Sequence, residues 1–399
     1  MATAWDALEE EARALDAADP LAHTRARFDL PDGVLYFDGN SLGPLTHEAR
    51  RVLESTVSHA WRERLIRSWD EDWMDMPSRV GDLIAPLIGA APGTVVCTDN
   101  TSVNLHKALE SAVAMRPGRD EIITDANNFP TDIYIARSVA AQHEMRLTAV
   151  KASQIPGAVS ERTAVVTATH VDYRSAHILH ADEITPAAHA AGALVVWDLA
   201  HSVGAVPVDL AGLDADFAVG CGYKYLNGGP GAPAFVYVAP RLLAEATQPL
   251  HGWWAHDEPM SFETAFRPDT GIKRFLTGSP GVLSMKALEA ALSAFEGVTV
   301  DQLRAKSVSL TEFFVRIWDE QLQTVGFSLE SPRDPVHRGS HVALGFADGK
   351  QLVADLADRD VIADFRPPDL VRFGFAPLYN THLETARLAQ KLAELASAH

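Results

Sequence analysis

Lys224 stands in the string Gly220-Cys221-Gly222-Tyr223-Lys224-Tyr225-Leu226-Asn227-Gly228-Gly229-Pro230-Gly231, just after an apolar run. A lysine in a partly desolvated pocket loses its proton more easily and becomes an amine nucleophile. The surrounding glycines would let backbone approach a ligand closely. A surface lysine on a flexible loop accounts for the same window, and the window alone does not separate the two. The other seven lysines (Lys107, Lys151, Lys273, Lys286, Lys306, Lys350 and Lys391) read as surface or helix-face residues. Upstream, Val195-Val196-Trp197-Asp198-Leu199-Ala200-His201-Ser202 ends a β-branched run in an aspartate, with a histidine three residues on. An aspartate there can pair with a cationic heterocycle nitrogen, such as the pyridinium of pyridoxal phosphate. It can equally cap the following turn. His201 is a second candidate contact.

Polar residues follow other apolar runs in the same way, at Asp99-Asn100-Thr101-Ser102-Val103-Asn104, Asn127-Asn128-Phe129-Pro130-Thr131-Asp132 and Thr169-His170-Val171-Asp172-Tyr173. A helix start carrying the Thr101 and Ser102 hydroxyls is a ready phosphate site, although simple capping explains it as well. Phe129 could stack on an aromatic ring, and Asp132 could cap a helix or touch a ligand.

To converge, these residues need strands that end on one side. Strand-like runs lie at 94–98, 121–124, 147–150, 163–169, 193–198, 217–220 and 232–238, with helical stretches at 101–115, 132–142 and 185–191. Such alternation predicts an α/β fold with a mostly parallel sheet covered by helices on both faces. Ligands in such folds sit beyond the carboxyl ends of the strands. Upstream, 4–17 reads as a surface helix, 34–37 as a short strand and 46–90 as helices. Helices at 283–295, 303–323 and 382–398, with strands at 341–346 and 371–375, predict a smaller α+β domain. The division expected is an N-terminal segment, 1–60, joining the small domain, a large ligand-binding domain, 61–275, and a small domain, 276–399.

Composition narrows the classes. The 399 residues carry 53 acidic and 34 basic side chains, a formal net charge of −19. A surface that negative repels nucleic acid and anionic lipid, so neither is an expected partner. No apolar run approaches the roughly 20 residues that span a bilayer, and Met1 to Pro20 lacks the basic start and apolar middle of a signal peptide. Two cysteines, Cys97 and Cys221, rule out a disulfide scaffold and fit a reducing cytoplasm. The Walker string, the dinucleotide fingerprint, the zincin pair and the Gly-x-Ser-x-Gly elbow all fail on spacing, and no metal is expected.

The chain resembles the aminotransferase-like, fold type I, pyridoxal-phosphate enzymes, and within them the kynureninase family in its bacterial form. The resemblance is carried by Tyr36-Phe37-Asp38-Gly39-Asn40-Ser41-Leu42-Gly43, Leu65-Ile66-Arg67-Ser68-Trp69, Ser102-Val103-Asn104-Leu105-His106, Asn128-Phe129-Pro130-Thr131-Asp132, the lysine string, Gly252-Trp253-Trp254-Ala255-His256 and Arg372-Phe373-Gly374-Phe375-Ala376-Pro377-Leu378-Tyr379-Asn380. It implies hydrolysis of L-kynurenine to anthranilate and L-alanine, a step of tryptophan catabolism. Lys224 would link to pyridoxal phosphate as a Schiff base and shuttle the substrate α-proton. Asp198 would pair with the pyridinium nitrogen and Phe129 stack on the ring, while Thr101, Ser102, Asp132, Thr169 and His201 line the cofactor. Tyr223 would touch the phosphate and donate a late proton. Trp253 and Ser279 (or Thr277) would reach the phosphate from a second subunit, making the site a property of a homodimer. Arg372 would grip the substrate carboxylate, with Asn40 and Trp254 as further substrate contacts. The bacterial-type strings lean toward kynurenine over its 3-hydroxy derivative. A cysteine desulfurase or selenocysteine lyase, or an aminotransferase, would share the platform. So would a non-catalytic binding protein that keeps the fold, although the joint presence of Lys224, Asp198 and Arg372 argues against it.

Overall fold

Runs such as Thr163–Thr169 and Leu194–Asp198 are buried along their whole length, as strands covered on both faces must be. In the computed structural model, which describes residues 4–396, they belong to a seven-stranded sheet. Its spatial order is Val95–Thr98, Ala234–Val238, Phe217–Cys221, Leu194–Asp198, Thr163–Thr169, Glu121–Asp125 and Arg146–Val150. All neighbours pair in parallel except Ala234–Val238, which runs antiparallel to both of its partners. The register sets Thr169 beside Asp198 and Asp198 beside Val219. The polar tails of adjacent strands therefore arrive side by side at one edge.

Helices Thr101–Ala114, Pro130–Gln142 and Ala181–Ala190 connect these strands. Asn100 caps the first, its side chain accepting from the Val103 amide at 3.1 Å. The third begins at Ala181 rather than at Thr185. Asp182 and Glu183 occupy its first turn, where carboxylates meet the positive end of the helix.

A second layer is a four-stranded antiparallel sheet in the order Asp364–Arg366, Leu370–Gly374, His341–Gly345 and Ser328–Leu329. Leu35–Tyr36 pairs in parallel with Val361–Ile362 beside it. A second core forms here, in which Phe314 packs between Phe373 and Phe375, with ring centroids 5.6 and 5.2 Å away. Leu8, Ala12, Leu35 and Phe37 join that core, while Leu21 and Phe28 join the core of the large sheet. Residues 4–40 thus strap the two cores together. The short strands 328–329, 361–362 and 364–366 and the helix Gly349–Ala357 go beyond what periodicity revealed. Strands of two or three residues are too short to show an alternating pattern. The C-terminal helix is described over His382–Ala396, and the rest of the stretch expected to reach Ala398 lies outside the described residues. Among the described residues no helix is long and apolar enough to cross a membrane.

Two lysines expected at the surface are instead buried. Lys306 pairs with Asp19, and Lys107 with Asp99, each at 2.5 Å. A buried ammonium is tolerated only with such a partner.

Phe314 is fully buried between two rings of the second core. Phe314→Ala is expected to lower unfolding stability by about 3–5 kcal/mol, measured by urea denaturation. An unchanged midpoint would contradict this packing.

Candidate active site

At the carboxyl edge of the large sheet lies a cavity of about 210 Å³. The connection after Phe217–Cys221 brings Tyr223 and Lys224 to it. Its bend is made by Asn227, Gly229 and Gly231, all with positive φ. The Gly43 amide pins it, donating to the Tyr223 carbonyl at 2.7 Å. A side chain at position 43 would collide with the Lys224 carbonyl and the Asn227 backbone, so the close approach requires glycine there. Lys224 Nζ lies 3.2 Å from His201 Nε2 and 5.8 Å from the centre of the Tyr223 ring.

Asp198 ends its strand inside the cavity, its Oδ1 accepting from the Ala200 amide at 2.7 Å. Burial raises its proton affinity, and the Lys224 ammonium only partly offsets this. Asp132, in the first turn of the helix Pro130–Gln142, is wholly buried, and neither of its carboxylate oxygens has a hydrogen-bond partner. Burial and the facing Asp198 carboxylate push it well above the usual range. Two adjacent buried carboxylates do not both ionise without a cation to neutralise them.

His201 is held neutral by burial and by the nearby Lys224. Its ring centre lies 5.7 Å from that of His341, which burial and Arg372 push down to about 3. Thr101 Oγ1 is buried without a partner, and Ser102 Oγ lies 3.4 Å from Thr131 Oγ1. Both hydroxyls sit at the start of the Thr101–Ala114 helix. Phe129 is 41% exposed at the mouth, edge-on to Tyr173 at 5.1 Å. Thr169 Oγ1 donates to the Val171 carbonyl at 3.2 Å. Burial also holds the Tyr223 hydroxyl strongly protonated.

Lys224, Tyr223, Asp198, Thr101, Ser102, Phe129, Asp132, Thr169 and His201 therefore converge as the sequence suggested. The others do not line this cavity. Arg372 is buried in the small sheet with its fork on Asp364: Nε donates to Oδ1 at 2.7 Å and Nη2 to Oδ2. Its remaining donors reach the Tyr173 carbonyl and, at 3.3 Å, Ser41 Oγ. Asn40 is buried against Gly374, both side-chain polar atoms unpartnered. Trp254 is also buried, stacked on Trp253 with centroids 5.4 Å apart and edge-on to Trp69 at 5.5 Å. Within this chain it has no free face for a substrate. Trp253 and Ser279 are exposed.

The residues that sequence reasoning did not single out are Asp364 and His341, while Tyr173 stood in one of the polar strings without a role of its own. Asp364 meets Arg372 through an antiparallel register that no local motif announces. His341 begins a strand with no flanking signal. Cys97 and Cys221 are both buried, their thiols pushed up by burial. Neither resembles a reactive nucleophile on a mobile loop.

Residues 303–392 match the family model described as Kynureninase C-terminal domain. A kynureninase of Deinococcus radiodurans is 44% identical over 95% of this chain and 94% of its own length. One from Pseudomonas fluorescens is 42% identical over 96% and 94%. Among solved structures, an apo cysteine desulfurase from Thermococcus onnurineus NA1 superposes with TM-score 0.81 at 19% identity, covering 95% of this chain and 98% of its own. Cysteine desulfurase CsdA from Escherichia coli gives 0.78 at 21% identity, covering 95% and 98%. These structural likenesses show the fold, the type I pyridoxal-phosphate arrangement.

The buried histidines carry a pH consequence. Unfolded, each takes up a proton near pH 6.5; folded, His170 does so only at about 4 and His341 at about 3. Between these limits each of the two sites binds its proton more readily in the unfolded chain, so each histidine contributes a loss of stability of about 1.4 kcal/mol per pH unit as pH drops below about 6.5. His341→Gln is expected to flatten the acid limb by about one proton's worth. Thermal unfolding midpoints from pH 7.5 to 4.5 measure this, and identical slopes in both proteins would refute it.

Proposed function

The chain belongs to the kynureninase family, and we infer from that membership and the cavity that it hydrolyses L-kynurenine to anthranilate and L-alanine, with pyridoxal phosphate held at Lys224. The observation that carries the reading is Lys224 sharing one small cavity with the paired carboxylates of Asp198 and Asp132, the latter unpartnered at both oxygens. A cationic ring nitrogen would satisfy that pair. The unpartnered Thr101 hydroxyl and Ser102 at a helix start fit a phosphate. Bound there, pyridoxal phosphate supplies an electron sink that stabilises negative charge on the amino acid's carbons.

The chain's own residues then divide the work. Asp198 keeps the ring nitrogen protonated, with Asp132 beside it. Phe129 covers the ring face at the mouth. Lys224 Nζ takes the proton from the substrate Cα and delivers it within the site. Neutral His201, 3.2 Å away, accepts from the ammonium and orients it. Thr169 closes the cavity floor. The protonated Tyr223 hydroxyl supplies the proton to Cβ after anthranilate departs. Arg372 recognises the α-carboxylate through the edge now facing Ser41 and the Tyr173 carbonyl, with Asn40 nearby, while Asp364 holds its other edge still. Trp254 supports Trp253 rather than touching substrate.

The reading includes a homodimer. Trp253 and Ser279, or Thr277, lie outside their own cavity and would complete the phosphate site of a second copy. An apolar groove of about 880 Å³, with Leu42, Leu45, Val57 and Leu283 partly exposed along it, offers surface for that copy. The cytoplasm is the compartment that suits two unpaired cysteines.

Two variants test the assignments. Lys224→Ala is expected to abolish the yellow absorbance of the loaded protein and to reduce anthranilate formation, followed by fluorescence, by about 10²–10⁴-fold or more. Normal turnover would overturn the lysine's role. Arg372→Ala is expected to raise KM for L-kynurenine about 10–100-fold, the scale of a charge-assisted contact. An unchanged KM would remove Arg372 from substrate recognition.

A further inference from the structure

Lys107 sits in the second turn of the helix Thr101–Ala114, yet its side chain is completely buried. Helical side chains lean toward the helix N-terminus, so a lysine at this position reaches back past the first turn. Its Nζ meets Asp99 Oδ2 at 2.5 Å and donates to the Phe275 carbonyl at 2.6 Å. Asp99 immediately precedes the cap Asn100. Its φ of 46° is in the left-handed region that aspartate tolerates. Its carbonyl accepts from the Ala234 amide at 3.1 Å, and its Oδ2 accepts from Thr98 Oγ1 at 2.9 Å. Thr277 Oγ1 also donates to this carboxylate, 3.3 Å from Oδ1. Thr277 in turn carries the tryptophan segment: the Trp254 amide donates to its carbonyl at 3.2 Å, and Gly252 packs so closely on its backbone that a side chain there would overlap it. One ion pair, its lysine buried and its aspartate partly exposed, is thus bonded on one side to the start of the Thr101–Ser102 helix and on the other to the 275–277 segment. Neither of its members lines the cavity.

We propose that the Asp99–Lys107 pair is a positioning device that ties the phosphate loop of one cofactor site to the segment completing the site of the second subunit. Each subunit's hold on pyridoxal phosphate then depends on the pair in both subunits. The inference rests on the reading above of a dimer with shared sites. Lys107 is buried and Asp99 partly exposed, so losing the carboxylate would leave the lysine's ammonium buried without its partner, and the contact does not let go in ordinary fluctuations. A pair that served stability alone would change unfolding without changing cofactor affinity.

The test is a titration of cofactor-free protein with pyridoxal phosphate, followed by its absorbance and paired with the thermal midpoint of the cofactor-free form. Asp99→Asn alone strands the buried Lys107 charge, so the companion variant Asp99→Asn with Lys107→Met removes both charges and keeps the fold testable. Hybrid dimers separate the two directions. With Lys224→Ala on one subunit, a single covalent site remains, and the neutralised pair is placed either on the subunit holding that site or on its partner. Both hybrids are expected to bind pyridoxal phosphate at least about tenfold more weakly than a hybrid with intact pairs, the scale of a small displacement of positioning groups. Affinity within about twofold of the reference in either hybrid would overturn the proposal. A wild-type protein that is a monomer, or that takes up no pyridoxal phosphate, would instead overturn the functional reading and this inference with it.

Discussion

Two carboxylates buried side by side set the terms for the rest of this molecule. Asp198 and Asp132 come from different connections, one ending a strand and the other opening a helix, and meet in a buried pocket. Buried like charges are costly unless something positive stands between or beside them. Lys224 supplies part of that compensation, and the geometry leaves room for a ligand's cation to supply the remainder. The site is therefore built around an electrostatic deficit. The fold has to hold that deficit open against its own tendency to relax.

The parallel sheet does the holding. Register places Thr169 beside Asp198, and the neighbouring strand feeds the Tyr223–Lys224 turn. The glycines and Asn227 let that turn bend back, and Gly43 locks it from the N-terminal segment. That segment runs through both cores. A shift of the small sheet would therefore be felt at the lysine as well as at Arg372. The Arg372–Asp364 fork shows the same economy of design: a cation needed for recognition is kept in place by a carboxylate on the adjacent strand.

Much of this was legible in local patterns. Every strand of the large sheet announces itself as an apolar run, and the polar residues at their ends are the ones that converge. What local patterns left unread shares one cause. Lys107 and Lys306 look like surface residues because a lysine's own sequence says nothing of a partner 8 or more positions away, Asp99 and Asp19 here. Trp254 looks like a pocket wall, but its place is settled by Trp69, far off in the chain. Arg372 looks free until Asp364 is brought alongside it. Short strands such as Val361–Ile362 exist only because Leu35–Tyr36 pairs with them.

The sequence by itself determined the α/β layout, nine of the residues that line the cavity and, through motifs spread from Tyr36 to Asn380, the family. These are matters of local periodicity, turn chemistry and residue type, and they are written within windows of a few residues. Only the tertiary structure decided which charges are neutralised and by what: Asp132 facing Asp198, Lys107 turned back onto Asp99, Arg372 forked on Asp364 and His341 kept neutral behind His201. The physical reason is that burial and Coulomb interactions depend on distance in space. A chain folded through two cores brings together charges whose separation along the sequence carries no trace of their contact.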